Sequence, residues 1–195
     1  MAYIIGIAGP AAAGKSTLCK NLASKNHNIL YISMEDFYKD PKTAPSHKGF
    51  KNLDSPDSIN FKMLENILLR LKKGESVTVP IFSKQKRDVI GAKILNPKPI
   101  IIVEGFLLFS KNKIRKLINL LIFIDIDSNT QLLRKFKRKE GNDLDINYYQ
   151  NVLLPMSKKY VTPTKKYATY IVDGSKTIKE TEKEVKSLIN FHIAF

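Results

Sequence analysis

The chain has 195 residues, a length typical of one domain, and its 43% apolar content is sufficient for a hydrophobic core. No apolar run reaches the ~20 residues of a membrane-spanning helix, and the single cysteine, Cys19, excludes an internal disulfide. The net charge of +15 indicates either a nucleic acid or a polyanionic small substrate. Because the lysines are scattered and the densest basic run, 134–140, is short, we favour the small substrate.

The chain begins with the apolar segment YIIGIA, residues 3–8, which leads directly into a glycine motif. No basic flank precedes this segment, so it fits a strand better than a signal peptide. Core packing is the expected role of Cys19. These features favour a cytoplasmic location.

Apolar segments alternate with amphipathic segments along the chain. The apolar ones are rich in Ile, Val, Leu and Phe, as expected of parallel strands covered on both faces. The alternation predicts one α/β domain over 1–195, with a five-stranded parallel sheet flanked by helices in three layers. The predicted strands are 3–8, 29–33, 99–105, 120–126 and 169–174, and the predicted helices are 15–26, 58–73, 111–118, 129–139, 145–160 and 177–192.

One segment, about 75–95, interrupts the alternation. It has two β-like runs around a polar, basic middle, which predicts a small β-hairpin that stands off the sheet. Pro80 lies in the first run and favours an edge position, because proline has no N–H to donate to a neighbouring strand.

The sequence GPAAAGKST, residues 9–17, is a full Walker A motif between a predicted strand and a predicted helix. Its glycines let successive backbone N–H groups surround a phosphate, and the helix dipole adds to the attraction. Lys15 is expected to reach the β- and γ-phosphates of ATP, and the Ser16 hydroxyl to bind Mg²⁺. The predicted ATP-binding residues are Gly9, Ala12, Ala13, Gly14, Lys15, Ser16 and Thr17.

ATPases, GTPases, motors and small-molecule kinases all use a Walker A motif, so other residues must narrow the class. The guanine-reading sequence Asn-Lys-x-Asp is absent, which argues against a GTPase. Glu35 and Asp36 follow the second predicted strand, at the edge where α/β sheets bind ligands. A carboxylate there can take the proton from an attacking hydroxyl, or it can simply be an acid at a helix N-terminus.

The segments SMEDFYK, NLDSPDS, VPIF, IIVEGFLLF and PTKKYATYIV follow the Walker A motif in this order. With them the chain resembles the uridine kinase and nicotinamide riboside kinase group of small P-loop kinases over nearly its whole length. The resemblance implies a P-loop kinase fold with a helical lid near 129–145. It also implies transfer of the γ-phosphoryl group of ATP to the 5′-hydroxyl of a ribonucleoside, with Mg²⁺.

The resemblance assigns roles to acidic residues. The group usually has aspartate at the position of Glu35, so Glu35 is the implied general base, and Asp36 is the alternative. Asp54 matches an aspartate that grips ribose hydroxyls, although DSPD is also a turn sequence. Glu104 ends an apolar strand as a Walker B acid does and is expected to hold Mg²⁺ through water. Ser16 and Glu35 are the other predicted metal ligands.

The predicted helix at 129–139 is rich in basic residues. The resemblance implies that the lid supplies arginines, whose guanidinium groups suit the charge of a transferring phosphoryl group. Arg138 is the best match for a catalytic arginine, and Arg134 and Lys135 are weaker candidates. For each lysine of this helix, a solvated face is the competing interpretation.

The base-binding region departs from the pyrimidine branch of the group. Uridine-cytidine kinases have tyrosine and aspartate and then a histidine near VPIF, whereas this chain has Phe82 and Ser83 and lacks the histidine. Two lid arginines are also missing. GFKNLD and YYQNVLLPMSKKY are closer to nicotinamide riboside kinases, which would stack the aromatic ring at Tyr148 on a pyridinium; core packing is the alternative. The implied substrate residues are Tyr38, Asp54, Phe82, Arg134 and Tyr148.

Uridine or cytidine is therefore the first candidate substrate and nicotinamide riboside the second. The altered base-binding motif also fits a regulatory nucleotide-binding protein with weak activity. A nucleic-acid-binding protein, which the charge of +15 suggests, is the third and less favoured class. An oligomer is compatible with the group, whose members vary in assembly.

Overall fold

The computed structural model of the protein describes residues 1–83, 85–137 and 146–193. Within these ranges every segment predicted to be a strand is one, the predicted hairpin supplies two more, and two short strands occur in addition. The strands are β1 (Tyr3–Ala8), β2 (Ile29–Ser33), β3 (Ser46–His47), β4 (Phe50–Lys51), β5 (Val77–Ser83), β6 (Asp88–Leu95), β7 (Ile100–Glu104), β8 (Leu120–Asp125) and β9 (Tyr170–Asp173).

The central sheet confirms the five predicted parallel strands, in the spatial order β2-β7-β1-β8-β9. Its register places Ile7 of β1 and Ser33 of β2 on either side of Glu104 at the end of β7. The carboxyl ends of these three strands therefore lie side by side, at the edge where parallel sheets bind ligands.

Helices cover both faces of the sheet. The longer ones in the described ranges are α1 (Lys15–Ser24), α2 (Phe61–Lys72), α3 (Asn112–Leu117), α4 (Ser128–Lys137) and α7 (Ile178–Ile193). Ile4 and Ile101 are buried on one face with side chains of α2 and α3, whereas Ile5 and Ile102 are buried on the other with side chains of α1 and α7. Neighbouring strand residues thus supply opposite faces, which gives the predicted three layers.

The stretch from 146 to 167 is helical but irregular. Short α-helical segments, α5 (Ile146–Tyr148) and α6 (Leu154–Met156), alternate with π-helical segments at Tyr149–Leu153 and Ser157–Val161. A 3-10 turn, Thr162–Tyr167, ends the stretch. Pro155 has no N–H for a regular helical bond, and the wider π turns accommodate that gap. The predicted helix at 145–160 is therefore helical in kind but not regular.

The predicted hairpin is present as β5 and β6, which pair antiparallel in a sheet of their own. Pro80 lies opposite Ala92 in this two-stranded sheet. The predicted lid begins with α4, and its remainder, including Arg138, lies outside the described residues. None of the helices in the described ranges has the combined length and apolarity needed to cross a bilayer.

Candidate active site

The loop between β1 and α1 has the backbone that a phosphate-binding loop requires. Gly9, Ala12 and Gly14 have φ values of 144°, 64° and 90°, and such positive values favour glycine. A Cβ atom at Gly9 would lie 2.2 Å from the carbonyl oxygen of Ile124, so only glycine fits there. Among the described residues, no side chain caps α1 and its first turn carries no acid. Its N–H groups and its dipole are thus directed at the loop.

Lys15 is folded back into this loop. Its Nζ donates a hydrogen bond to the carbonyl oxygen of Pro10 at 2.8 Å, and the residue is only 7% exposed. The ammonium group is therefore already inside the space that the loop encloses.

Glu104 is the acceptor for three hydroxyl groups at the end of β7. Its Oε1 accepts hydrogen bonds from Ser16 Oγ at 3.0 Å, the Tyr31 hydroxyl at 3.0 Å and Ser33 Oγ at 3.1 Å. Glu104 is 2% exposed. Burial and the charge of Glu104 raise the pKa of the Tyr31 phenol, so this hydroxyl stays protonated and donates to the carboxylate.

The pair of Ser16 and Glu104 fits Mg²⁺. A hydroxyl and a carboxylate meet beside the phosphate-binding loop, and Mg²⁺ takes oxygen ligands while retaining waters and substrate phosphates. Within the described ranges, His, Cys, Asp and Glu form no group of three or more that could enclose a metal without such help. A bound Mg²⁺ would therefore be held jointly by these two residues and by the phosphates.

Glu35 and Asp36 lie in a 3-10 turn, Met34–Phe37, directly after β2. The Ser33 hydroxyl accepts a hydrogen bond from the Glu35 amide at 3.3 Å and so begins the turn. Asp36 points towards the hairpin, where its two carboxylate oxygens accept from the Phe82 amide at 3.3 Å and from Lys93 Nζ at 2.7 Å. Consecutive carboxylates thus have different surroundings.

Asp54 and Tyr148 meet near Glu35 and Tyr38, and the surroundings of these four residues are called the acceptor region below. The Tyr148 hydroxyl donates to Asp54 Oδ2 at 2.7 Å. Burial raises the pKa of the Asp54 carboxyl; the Tyr148 hydrogen bond and the charge of Lys135 act against this, and Glu35 adds to it. Burial also raises the pKa of the Tyr38 phenol, with further contributions from Asp54 and Glu35. The structure therefore brings Glu35, Tyr38, Asp54 and Tyr148 together.

Aromatic rings line the same region. The Phe82 ring lies 4.9 Å from the Tyr38 ring between centroids, and the Phe50 ring meets the Tyr148 ring edge-on at 5.8 Å. Phe50 follows the turn between β3 and β4, and sequence reasoning did not identify it. The predicted substrate residues Tyr38, Phe82 and Tyr148 therefore share one region with Asp54.

Arg134 lies away from the region that contains Asp54 and Tyr148. Its Nη2 donates to the carbonyl oxygen of Ser175 at 3.2 Å, whereas the charge of the next residue, Lys135, acts on Asp54. Successive helical residues point about 100° apart, which explains the separation. Arg134 is not brought to the other predicted substrate residues. It lines a cavity of about 170 Å³ with Ala12, Ala13, Gly14, Thr17, Gly174, Lys176, Ile178 and Thr181.

The sequence profile of the Phosphoribulokinase / Uridine kinase family matches residues 4–180. This chain belongs to that family. The matched residues include the phosphate-binding loop, the turn with Glu35 and the strand that ends at Glu104.

Relatives of this family member include proteins named as uridine kinases. The uridine kinase of Chlamydia pneumoniae is 32% identical over 184 residues, which cover 88% of this chain and 82% of that protein. Uridine kinase-like protein 3 of Arabidopsis thaliana is 31% identical over 180 residues, which cover 87% of this chain. This chain spans only about two fifths of that plant protein and of uridine kinase-like protein 4, at 39% and 38% of their lengths.

Solved structures share the fold of this family member. A possible uridine kinase from Bacillus stearothermophilus has a TM-score of 0.67 and 16% identity, with 88% of this chain and 89% of that chain covered. Shikimate kinase from Acinetobacter baumannii has a TM-score of 0.56 and 14% identity, with 99% and 96% covered. At such low identities the likeness establishes the α/β fold alone.

Proposed function

We propose that this family member transfers the γ-phosphoryl group of ATP to the 5′-hydroxyl of a ribonucleoside, with uridine or cytidine as the first candidate. One observation carries the proposal. The loop with Lys15, the pair of Ser16 and Glu104, and the turn with Glu35 follow or end three adjacent parallel strands. A donor phosphate and an acceptor hydroxyl bound there would be neighbours, as transfer requires. The names of the relatives support the same reaction.

The donor side consists of the loop and Lys15. Backbone N–H groups of the loop and of the first turn of α1 bind the phosphates. Lys15 Nζ exchanges the Pro10 carbonyl oxygen for phosphate oxygens, so its positive charge is in place before the nucleotide arrives. Ser16 and Glu104 would hold Mg²⁺, which would supply positive charge beside the bound phosphates. The cavity beside Arg134 adjoins the loop at Gly14, and we propose it as the binding site for the adenine base of ATP.

On the acceptor side, Glu35 is the proposed general base and Asp54 the ribose ligand. Glu35 lies near Tyr38 and Asp54, since its charge contributes to the raised pKa of both groups. Asp36 already accepts hydrogen bonds from the hairpin through both of its oxygens and is the weaker candidate. Asp54 can accept from vicinal ribose hydroxyls beside the Tyr148 hydroxyl.

Nicotinamide riboside is the second candidate, because of the position of Tyr148. This half-buried ring lies next to Asp54 and Phe50. A ribose held by Asp54 would bring its base close to these aromatic faces. An aromatic face attracts a flat cation such as a pyridinium.

Coupled ADP release tests the function directly. The assay would use ATP and Mg²⁺ with uridine, cytidine, adenosine, guanosine and nicotinamide riboside, each at the same concentration. Turnover with a pyrimidine nucleoside supports the first candidate, and turnover with nicotinamide riboside alone supports the second. Binding of ATP without transfer to any nucleoside would contradict both and favour a regulatory nucleotide-binding protein.

Replacement Tyr31→Phe is expected to weaken use of Mg²⁺. It removes one of the three hydroxyl donors to Glu104 Oε1 and leaves the ring in place. Loss of a partner that orients a metal ligand weakens metal binding about 10-fold or more. The Mg²⁺ concentration for half-maximal ADP release should rise by that factor, while Tyr3→Phe, at the opposite end of the sheet, should leave it unchanged. An unchanged Mg²⁺ requirement in Tyr31→Phe would contradict the role of this hydroxyl.

Replacement Asp54→Asn is expected to raise stability and lower activity. Because burial raises the folded-state pKa of Asp54 above its ordinary 3.8, ionisation of this group destabilises the fold increasingly as pH rises from that ordinary value to the raised pKa. The variant should therefore melt at a higher temperature than the wild type at pH 7, and the difference should vanish below about pH 3, where Asp54 is largely protonated in both states. The KM for the nucleoside should rise about 10-fold, since a hydrogen bond to a charged partner is lost. Asp57→Asn, an exposed neighbour, is the control; a wild-type KM in Asp54→Asn would refute the ribose role.

A further inference from the structure

The hairpin carries a charge inward and apolar side chains outward on β6. Ile90 and Ile94 are 54% and 70% exposed. Lys93 lies between them in sequence and is half-buried. Its ammonium group donates to Asp36 Oδ2 at 2.7 Å, and Asp36 is 8% exposed. A strand that faces solvent ordinarily shows the reverse pattern, so the inward position of Lys93 requires its own explanation.

Asp36 joins both strands of the hairpin. Oδ2 accepts from Lys93 on β6, and Oδ1 accepts from the backbone amide of Phe82 on β5 at 3.3 Å. The register between the strands shifts at Phe82, with Ile90 as the extra residue on β6. Such bulges redirect backbone groups and side chains, and here the Phe82 amide is directed at Asp36. One carboxylate thus fixes the hairpin at two points.

The same contacts reach the acceptor region. Phe82 places its ring 4.9 Å from that of Tyr38, and Tyr38 lies near Asp54 and Glu35. Asp36 and Glu35 are consecutive residues of one 3-10 turn of four residues, so a displacement of Asp36 also displaces Glu35. The position of the hairpin and the position of the proposed base are therefore coupled through Asp36.

We propose that Lys93 and Asp36 form a charged latch that holds the hairpin against the acceptor site, and that Lys93 is a positioning residue for nucleoside binding. The kinetic part of this inference rests on the proposed function. The latch itself does not, because the contacts belong to the protein alone. Removing one charge leaves the nearly buried Asp36 without its cation and releases β6, whereas the central sheet, which the hairpin does not join, is retained.

The first experiment measures the latch without a substrate. Amide hydrogen exchange is compared in the wild type and in Lys93→Met, which keeps most of the side-chain stem and removes the charge. Exchange at Phe82 and along β5 and β6 should become about 10-fold faster, while amides of β7 keep their rates. Lys86→Met, an exposed lysine at the hairpin turn, is the matched control and should change neither. Unchanged exchange at Phe82 in Lys93→Met would overturn the proposal whatever the activity of the enzyme.

The second experiment is a double-mutant cycle with Lys93→Met, Asp36→Asn and the combined variant. Each single replacement should raise the nucleoside KM about 10-fold and leave the KM for ATP unchanged, and the double variant should be no worse than either single one. Lys93→Arg should restore most of the affinity, because the charge is restored. Strictly additive losses would overturn the latch. If hydrogen exchange is faster in Lys93→Met but the wild-type protein phosphorylates none of the nucleosides, the latch is supported and the proposed function is refuted.

Discussion

Replacement of Lys15 by alanine is expected to lower the rate of ADP formation by about 10²–10³-fold, the usual loss when one preorganised charge-stabilising donor is removed. The ammonium group is 2.8 Å from the Pro10 carbonyl oxygen and is enclosed by the loop, so it needs only to exchange that oxygen for phosphate oxygens. Its charge acts most strongly on the γ-phosphoryl group as transfer proceeds. The measurement is steady-state ADP release with saturating nucleoside and Mg²⁺.

Lys20→Ala is the matched control, because Lys20 is an exposed lysine on the same helix. That variant should keep wild-type turnover. Both variants should retain the circular dichroism spectrum and cooperative melting of the wild type, since neither residue contributes apolar side-chain packing to the core clusters. Wild-type turnover in Lys15→Ala would rule out the loop as the site of phosphoryl transfer.

The central sheet could be predicted from the sequence because its strands are buried on both faces. The predicted strands at 3–8 and 29–33 coincide with β1 and β2, and the other three differ by one residue at their ends. In a chain of this length, a short continuous run of Ile, Val and Leu fits few structures other than a strand that is buried on both faces. The Walker A spacing also predicted the position of the loop. Its glycines allow the positive φ values and the close backbone approach that other residues disfavour.

The partners of the predicted site residues were not predictable in the same way. Ser16 and Glu104 were assigned from motifs, but Tyr31 reaches Glu104 only because β2 lies beside β7 in the sheet. Lys93 reaches Asp36 across 57 positions of sequence. Contacts of this kind depend on strand order and register, which a periodic pattern does not specify.

Helical regions gave the least accurate predictions. α2 begins at Phe61 rather than at residue 58, because Asn60 caps the helix with a hydrogen bond from the Met63 amide and a separate 3-10 turn precedes it. The resemblance places Arg134 among the substrate residues because it implies a lid that supplies arginines, and Arg134 belongs to the basic run of the predicted lid helix. The run alone does not say which residue faces which site, since that depends on how α4 is rotated about its axis.

The two adjacent carboxylates after β2 differ in their contacts, and this difference favours one of them as the proposed base. Either Glu35 or Asp36 has suitable chemistry for a general base. In the structure the carboxylate of Asp36 contacts the hairpin, where its oxygens accept hydrogen bonds from Lys93 Nζ and from the Phe82 amide. Glu35 influences the groups that would surround a nucleoside, namely Tyr38 and Asp54. A base must lie within reach of the proton that it removes, so Glu35 is the better candidate.

Replacement Glu35→Gln is accordingly expected to reduce kcat by about 10²–10⁴-fold, the range attributed to general acid–base catalysis. Glutamine keeps the length and hydrogen-bonding shape of the side chain but cannot accept the proton of the 5′-hydroxyl. The nucleoside KM should change little, because Asp54 and not Glu35 is the proposed ribose ligand. The measurement is single-turnover phosphorylation of the best nucleoside, which separates the chemical step from product release.

Two further variants decide between the carboxylates. Glu35→Asp shortens the side chain by one methylene and restores the residue usual in the resembling kinases, so it should retain much of the wild-type kcat. Asp36→Asn should raise the nucleoside KM with a much smaller effect on kcat, since Asp36 acts through the hairpin. If Asp36→Asn instead lost kcat as Glu35→Gln is expected to, and Glu35→Gln did not, Asp36 would be the base, and its bond to Lys93 would have to open before each transfer.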